Sequence, residues 1–265
     1  MTRRSEQISL HLNAYLTAHS TPPDAILREL ATETAERYPN EVTLQVAPEM
    51  GTLLTLLTRL SGAGRGIEVG TFTGYSSICI ARALGPDGRL LSCDISEEWT
   101  SVARKYWEKA GLTDRIELRL GPALATLRAL PATSEFDVAF IDADKLSYPA
   151  YWSELVPRVR SGGLIMVDNT FSHGRVLDAG NDNPSVIAVR TMNDQAAADD
   201  RVEVIMLPIG DGLTVALKRL RAPVRRSRPH RRGRARRSRG ARAPRGRCRT
   251  AGRCRSPSRR RAARA

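Results

Sequence analysis

Three oxygen-bearing side chains follow two short apolar runs. Phe140-Ile141 leads into Asp142-Ala143-Asp144-Lys145, and Met166-Val167 leads into Asp168-Asn169. If the two runs are neighbouring parallel strands, Asp142, Asp168 and Asn169 converge. Two carboxylates and an amide oxygen are hard donors that suit an octahedral divalent cation such as Mg2+, with water or substrate completing the shell. Apart from His173, no Cys or His lies nearby to make a zinc site. A cation at this point can chelate two neighbouring hydroxyls of a substrate and lower the pKa of the bound oxygen. Lys145, three residues after Asp142, can take that proton if the cation depresses its own pKa. Taken singly, Asp142 also reads as a strand-end helix cap, Lys145 as a solvated lysine, and Asp144 as surface charge or a supporting partner. The combination of Asp142 with Asp168-Asn169 is what points to a metal.

A second constellation precedes the first. Glu68-Val69-Gly70-Thr71-Phe72-Thr73-Gly74-Tyr75-Ser76 joins a strand to a helix. Gly70 and Gly74 let the backbone turn tightly beside a ligand. The pattern is not the GxGxxG of dinucleotide binders, whose pyrophosphate rests on the helix N-terminus. Glu68 would repel a pyrophosphate and suits a ligand carrying an ammonium group. Asp94, closing the next strand, is placed to accept hydrogen bonds from ribose hydroxyls. A nucleoside with an amino-acid-like charged end and no phosphate describes S-adenosylmethionine, whose sulfonium methyl an activated oxygen can attack in line. The plainer alternative is that Gly70 and Gly74 are turn glycines and Asp94 a helix cap.

The elements that must position these residues follow from periodicity. The first third reads as helices. One opens at Pro22-Pro23-Asp24 and runs to about Tyr38; another opens at Pro48, carries Leu53, Leu54, Leu56, Leu57 and Leu60 at helical spacing, and ends at Gly62 to Gly66. Strands and helices then alternate. Ile67–Val69, Arg89–Cys93, Ile116–Leu120, Phe136–Ile141 and Leu164–Val167 read as strands, the last introduced by Gly162-Gly163. Tyr75–Leu84, Ser96–Ala110, Ala123–Leu130, Tyr148–Val159 and Ser185–Ala198 read as helices. Val202–Leu207 and Leu213–Leu217 form a closing strand pair around Gly210-Asp211-Gly212. This alternation predicts an α/β protein of Rossmann-like architecture, a mostly parallel seven-stranded sheet with helices on both faces. Ligands bind such sheets outside the carboxyl ends of the strands, where Glu68, Gly70, Asp94, Ala123, Asp142, Asp168 and Asn169 all fall.

Charge divides the chain. Its 265 residues carry a formal +14, which at face value suggests nucleic-acid binding. Residues 221–265 hold 20 of the arginines and no acidic residue, so residues 1–220 are net −6. The division predicts one domain over 1–220 (helices over 1–62, α/β core over 63–220) and a disordered arginine-rich tail over 221–265, which has one Val and no aromatic with which to build a core. The tail's Arg, Ala, Gly and Pro are GC-codon residues, so a shifted frame or read-through past a stop is an alternative origin for it. No run of ~18–20 apolar residues is present to span a membrane, and the N-terminus lacks a signal peptide's apolar stretch. Four scattered cysteines make no disulfide framework, so a cytoplasmic, reduced protein is expected.

With these motifs in order, residues from about 40 to 219 resemble the class I, cation-dependent, S-adenosylmethionine-dependent O-methyltransferases, the family of caffeoyl-CoA and catechol O-methyltransferases, and its small bacterial members above all. The motifs that carry the resemblance are the Glu68–Ser76 segment, Phe140-Ile141-Asp142-Ala143-Asp144-Lys145, Gly162-Gly163-Leu164-Ile165-Met166-Val167-Asp168-Asn169 and Leu207-Pro208-Ile209-Gly210-Asp211-Gly212-Leu213. The resemblance implies donor contacts at Val46, Glu68, Gly70, Thr71, Ser76, Asp94 and Ala123. It implies metal ligation by Asp142, Asp168 and Asn169, Lys145 as the base, a small hydroxylated aromatic substrate and a homodimer. Two departures stand out. Where the family often has a small apolar pair, Trp and a small residue before Gly, this chain has Thr170-Phe171-Ser172-His173-Gly174, so a wall of the acceptor pocket differs. The arginine tail is the second. Two other functions compete: the same chemistry on a modified-nucleoside hydroxyl of tRNA, with the tail contacting phosphates, and a nucleic-acid-binding protein acting through the tail alone. The acidic body and a tail without aromatic residues to stack on bases weigh against the first, and the intact set of oxygen ligands weighs against the second.

Overall fold

The computed structural model describes residues 9–133 and 135–220. The expected arginine-rich tail over 221–265 lies outside them. Three helices come first: α1 (Leu10–Ala18), α2 (Ala25–Arg37) and α3 (Pro48–Leu60). Asp24 caps α2 by accepting the Leu27 N–H at 3.0 Å, and Pro48 opens α3 at the one place where a missing N–H costs nothing. Sequence periodicity does not single out α1. It is capped by Ser9, but Tyr15 and Leu16 are exposed, so no apolar stripe marks it.

The alternating part follows as β1 (Arg65–Val69), α4 (Tyr75–Ala83), β2 (Arg89–Asp94), α5 (Glu97–Lys109), β3 (Ile116–Leu120), α6 (Ala123–Ala129), β4 (Phe136–Ile141), α7 (Tyr148–Arg158), β5 (Val159–Val167), α8 (Pro184–Ala198), β6 (Val202–Leu207) and β7 (Leu213–Lys218). The seven strands lie in the order β3-β2-β1-β4-β5-β7-β6. The first five are parallel, and β7 inserts antiparallel between β5 and β6. The Rossmann-like, mostly parallel sheet expected from the sequence is therefore present.

Side chains alternate across the central strands. Val138 and Phe140 of β4 face α2–α5 with Leu30, Met50, Leu54, Ile78 and Tyr106, whereas Ala139 and Ile141 face α6–α8 with Leu127, Trp152, Leu155 and Met192. Burial on both faces explains why these strands read as nearly unbroken apolar runs. Among the described residues no helix is long and apolar enough to cross a membrane.

One boundary needs correction. The helix expected to reach Val159 stops at Arg158, and β5 begins at Val159 rather than Leu164. The Gly162-Gly163 pair does not introduce the strand; it sits inside it, where the register against β4 shifts between Phe136 and Val138. A Cβ on Gly163 would lie 2.6 Å from the Asp137 carbonyl oxygen, so the irregular strand is built on glycine.

Candidate active site

The strand order sets β1 between β2 and β4, with β5 beyond β4. The carboxyl ends of β2, β1, β4 and β5 thus bring Asp94, Gly70, Asp142 and Asp168 along one edge of the sheet. Backbone hydrogen bonds tie these ends together: Gly70 N–H to the Cys93 carbonyl at 2.9 Å, Asp142 N–H to Val69 at 2.8 Å, and Asp168 N–H to Ile141 at 3.0 Å.

Gly70 takes φ +96° with its Cα against β4; a Cβ there would lie 1.9 Å from the Asp142 carbonyl oxygen. No side chain fits, so the loop passes directly over the end of the neighbouring strand. Beyond it lies a cleft lined by Gln45, Val46, Gly70, Thr71, Ser76 and Asp142, among others. Five of the residues expected from sequence to contact donor or metal therefore share one cavity.

Asp94 sits beside the cleft and has a role that the sequence reading missed. Its Oδ2 accepts the N–H groups of Thr71 (2.8 Å) and Phe72 (2.9 Å), and its Oδ1 accepts that of Ser96 (2.8 Å). One carboxylate thus pins the glycine loop to the start of α5. Carboxylate oxygens have about four lone-pair sites in all, so capacity for a ribose hydroxyl remains. Ala123 opens α6, and the preceding Gly121 N–H donates to the Asp94 carbonyl at 2.8 Å. It belongs to the α6–α8 core rather than to the cleft lined by Val46 and Ser76.

Glu68 lies beneath the cleft rather than on its wall and is fully buried. The Ser92 hydroxyl donates to its Oε2 at 2.7 Å and also contacts the Thr71 hydroxyl at 2.6 Å. Its Oε1 has no hydrogen-bond partner among the described residues. Burial pushes the Glu68 carboxyl up to about 8, against the pull of the Ser76 and Ser92 hydroxyls. A buried acceptor left unpaired is costly, and a cationic donor group is the partner that suits it best.

At the ends of β4 and β5 the side-chain oxygens of Asp142 and Asn169 meet at one point, with Asp168 next to Asn169 in sequence and space. Lys145 Nζ lies 3.0 Å from Asp142 Oδ1, 2.6 Å from Asn169 Oδ1 and 2.7 Å from the Tyr148 hydroxyl. Three oxygens therefore surround one cationic point, and the lysine ammonium stands there as a built-in cation. Asp168 lies alongside, its Oδ1 accepting the Asn169 N–H at 2.7 Å. Burial, and next the charge of Asp142, pushes the Asp168 carboxyl up to about 7. A buried carboxyl raised by its acidic neighbour in this way, with an amide oxygen beside the pair, fits a hard divalent cation. Among the described residues no cluster of three or more His, Cys, Asp or Glu side chains forms a metal site, so the set depends on the Asn169 amide.

Tyr148, at the start of α7, was not foreseen. It is buried, and its ring lies 4.8 Å from Lys145 Nζ. The signal was available: it falls three residues beyond Lys145, within one helical turn. Asp144 holds the same turn by accepting the Ser147 N–H at 3.1 Å and the Tyr151 hydroxyl at 2.5 Å, which makes it a supporting partner.

The loop after Asn169 is held by the β6–β7 turn. Thr170 N–H donates to the Gly212 carbonyl (3.0 Å), Phe171 N–H to the Asp211 carbonyl (2.9 Å) and His173 N–H to Asp211 Oδ1 (2.6 Å). A Cβ on Gly212 would come within 2.5 Å of the Phe171 ring. Asn169, Ser172 and His173 all have positive φ (58°, 47° and 55°), so the loop is wound tightly. Ser172 is buried and the His173 side chain is 76% exposed.

These features define a class before they define a relative: a Rossmann-like sheet with a small-ligand cleft at its carboxyl edge and an oxygen-lined cation point sharing a wall with that cleft. A profile of the O-methyltransferase family matches residues 17–219, and the chain belongs to that family. A probable caffeoyl-CoA O-methyltransferase of Dictyostelium discoideum is 39% identical over 208 residues, covering 77% of this chain and 90% of the relative. The solved O-methyltransferase TomG of Streptomyces achromogenes, in complex with SAM, is 33% identical with a TM-score of 0.71 over 79% of this chain and 96% of its own. The Bacillus cereus O-methyltransferase in complex with SAH gives 33% and 0.72 over 79% and 97%. The protein is an enzyme with O-methyltransferase activity.

Proposed function

We propose that this enzyme transfers the methyl group of S-adenosylmethionine to one hydroxyl of a small catechol-like or vicinal-diol aromatic acceptor. A divalent cation, Mg2+ from the hardness of its ligands, orients and activates the acceptor oxygen. The observation that carries the reading is a shared wall. Asp142 lines the donor cleft and also presents Oδ1 to the cationic point beside Asn169. A donor in the cleft and a hydroxyl at that point are therefore neighbours.

Within the cleft, Val46, Gly70, Thr71 and Ser76 give the donor its shape. Glu68 beneath them suits its ammonium, and Asp94 suits its ribose, with Ala123 closing the nucleoside side. Asp142, Asp168 and Asn169 would hold the cation, which when bound chelates two hydroxyls and lowers the pKa of one. Lys145, in its neutral form, takes the acceptor's proton at Nζ. The acceptor oxygen forms its bond to the sulfonium methyl as the sulfur–methyl bond breaks, and the electron pair stays on the sulfur of S-adenosylhomocysteine. The rate comes mainly from holding the two reactants in line. The buried, free Cys79 and Cys93 agree with a cytoplasmic enzyme. The homodimer implied by the resemblance belongs to the same reading and is read out by sedimentation.

The test is a panel of catechols with labelled S-adenosylmethionine, with Mg2+ and with a chelator. Methyl incorporation with Mg2+ that disappears in chelator is expected; full activity in chelator overturns the metal assignment. The 20 arginines of 221–265 favour a second reading, methylation of tRNA. A chain ending at Arg219 should keep its catechol activity. Activity on bulk tRNA that falls steeply with salt and requires the tail would instead favour the second.

A further inference from the structure

One orphaned acceptor lies in the wall of the cleft itself. Gln45 lines the cleft immediately before Val46, and its Oε1 is buried with no hydrogen-bond partner among the described residues. Its own backbone is fixed: its N–H closes the short helical turn Val42–Leu44 by donating to the Val42 carbonyl at 3.2 Å. The amide is thus held at the cleft by its main chain and not by any bond of its carbonyl oxygen.

The surrounding charge identifies the ligand group. Asp142 lines the same cleft, and Glu68 lies under Ser76, which also lines it. Asp142 and the unpaired Gln45 oxygen, in a lining without Lys or Arg, suit a group that donates hydrogen bonds and carries positive charge. We propose that Gln45 is a donor-recognition residue whose Oε1 accepts one N–H bond of the ammonium at the amino-acid end of the methyl donor. This rests on the donor assigned above and adds a contact that neither the motifs nor the strand-end rule contains. It gives Gln45 a role in ground-state binding, so it governs the Michaelis constant for the donor more than turnover.

Calorimetry with S-adenosylhomocysteine and with its analogue lacking the amino group tests it. Gln45→Leu should weaken S-adenosylhomocysteine about tenfold, the scale of one hydrogen bond to a charged group, and leave the weaker binding of the des-amino analogue unchanged. Gln45→Glu, which keeps an acceptor oxygen, should retain binding of S-adenosylhomocysteine. Equal weakening of both ligands by Gln45→Leu would assign Gln45 a purely structural role and overturn the proposal, as would loss of binding in Gln45→Glu. If Gln45→Leu does not fold, the wild-type and Gln45→Glu measurements decide: equal affinity of wild type for the two ligands overturns the ammonium contact. Failure of the wild-type enzyme to bind S-adenosylhomocysteine at all would instead overturn the donor assignment itself.

Discussion

The proposed donor end and the proposed cation end of this site are built on opposite terms. At the donor end most polar atoms are already committed. Asp94 accepts three backbone N–H groups, and Thr71, Ser92 and Glu68 form a chain of contacts. At the proposed cation end burial and the charge of Asp142 raise the Asp168 carboxyl, and the Lys145 side chain fills the point where the Asp142 and Asn169 oxygens meet. The first end is organised before its ligand arrives; the second has acidic groups that a cation would relieve. Rigid loops held by backbone bonds suit recognition of one fixed ligand. A buried carboxyl raised by an acidic neighbour suits an ion whose charge offsets the cost of assembling the pair.

The largest effect should come from breaking the cation end alone. Asp168→Ala, which does not touch the donor cleft, is expected to lower turnover at least about a hundredfold. Affinity for S-adenosylhomocysteine by calorimetry should stay within about twofold. A matching loss of donor affinity would show that the two ends are not separable.

Next comes the point where they join. Gly70→Ala forces a methyl against the Asp142 carbonyl and should destabilise the fold by about 3 kcal/mol, read from the urea midpoint. It should impair donor binding and turnover together. An unchanged midpoint would mean that the loop moves freely away from β4.

The smallest effect on activity, read through stability alone, separates Glu68 from the rest through pH. Its folded carboxyl titrates near 8, against an ordinary value of 4.5. An acid whose folded pKa is raised contributes stability that is complete below its unfolded pKa and is lost as pH rises through the folded one. The melting temperature of the wild type, relative to Glu68→Gln, should therefore fall between about pH 4.5 and 8 and level off above. A difference that stays flat with pH would place a charged partner on Glu68 in the free enzyme.

Much of this was legible in the sequence because it depends on local order. The period of 2 or 3.6 in apolar residues marks an element, and its last residue marks where a parallel sheet offers a ligand site. Asp142, Asp168 and Asn169 could be brought together on paper because their two runs are adjacent parallel strands, and β4 does pair with β5. Helix α1 was not legible, having no apolar stripe, nor was the glycine bulge within β5, since Gly-Gly reads as punctuation either way.

The sequence by itself determined the elements, the edge of the sheet that carries chemistry and the kinds of side chain found there. Only the tertiary structure decided which atoms are left unpaired. That Glu68 lies under the cleft, that Gln45 keeps a free acceptor at its wall, that Asp94 spends its oxygens on the glycine loop and that Tyr148 flanks Lys145 all depend on contacts between segments distant in the chain or on side-chain direction. Hydrogen bonding is an account settled over the whole packed molecule, with each donor and acceptor matched against every neighbour the fold supplies. Residue types and spacing alone do not reveal which ones remain open.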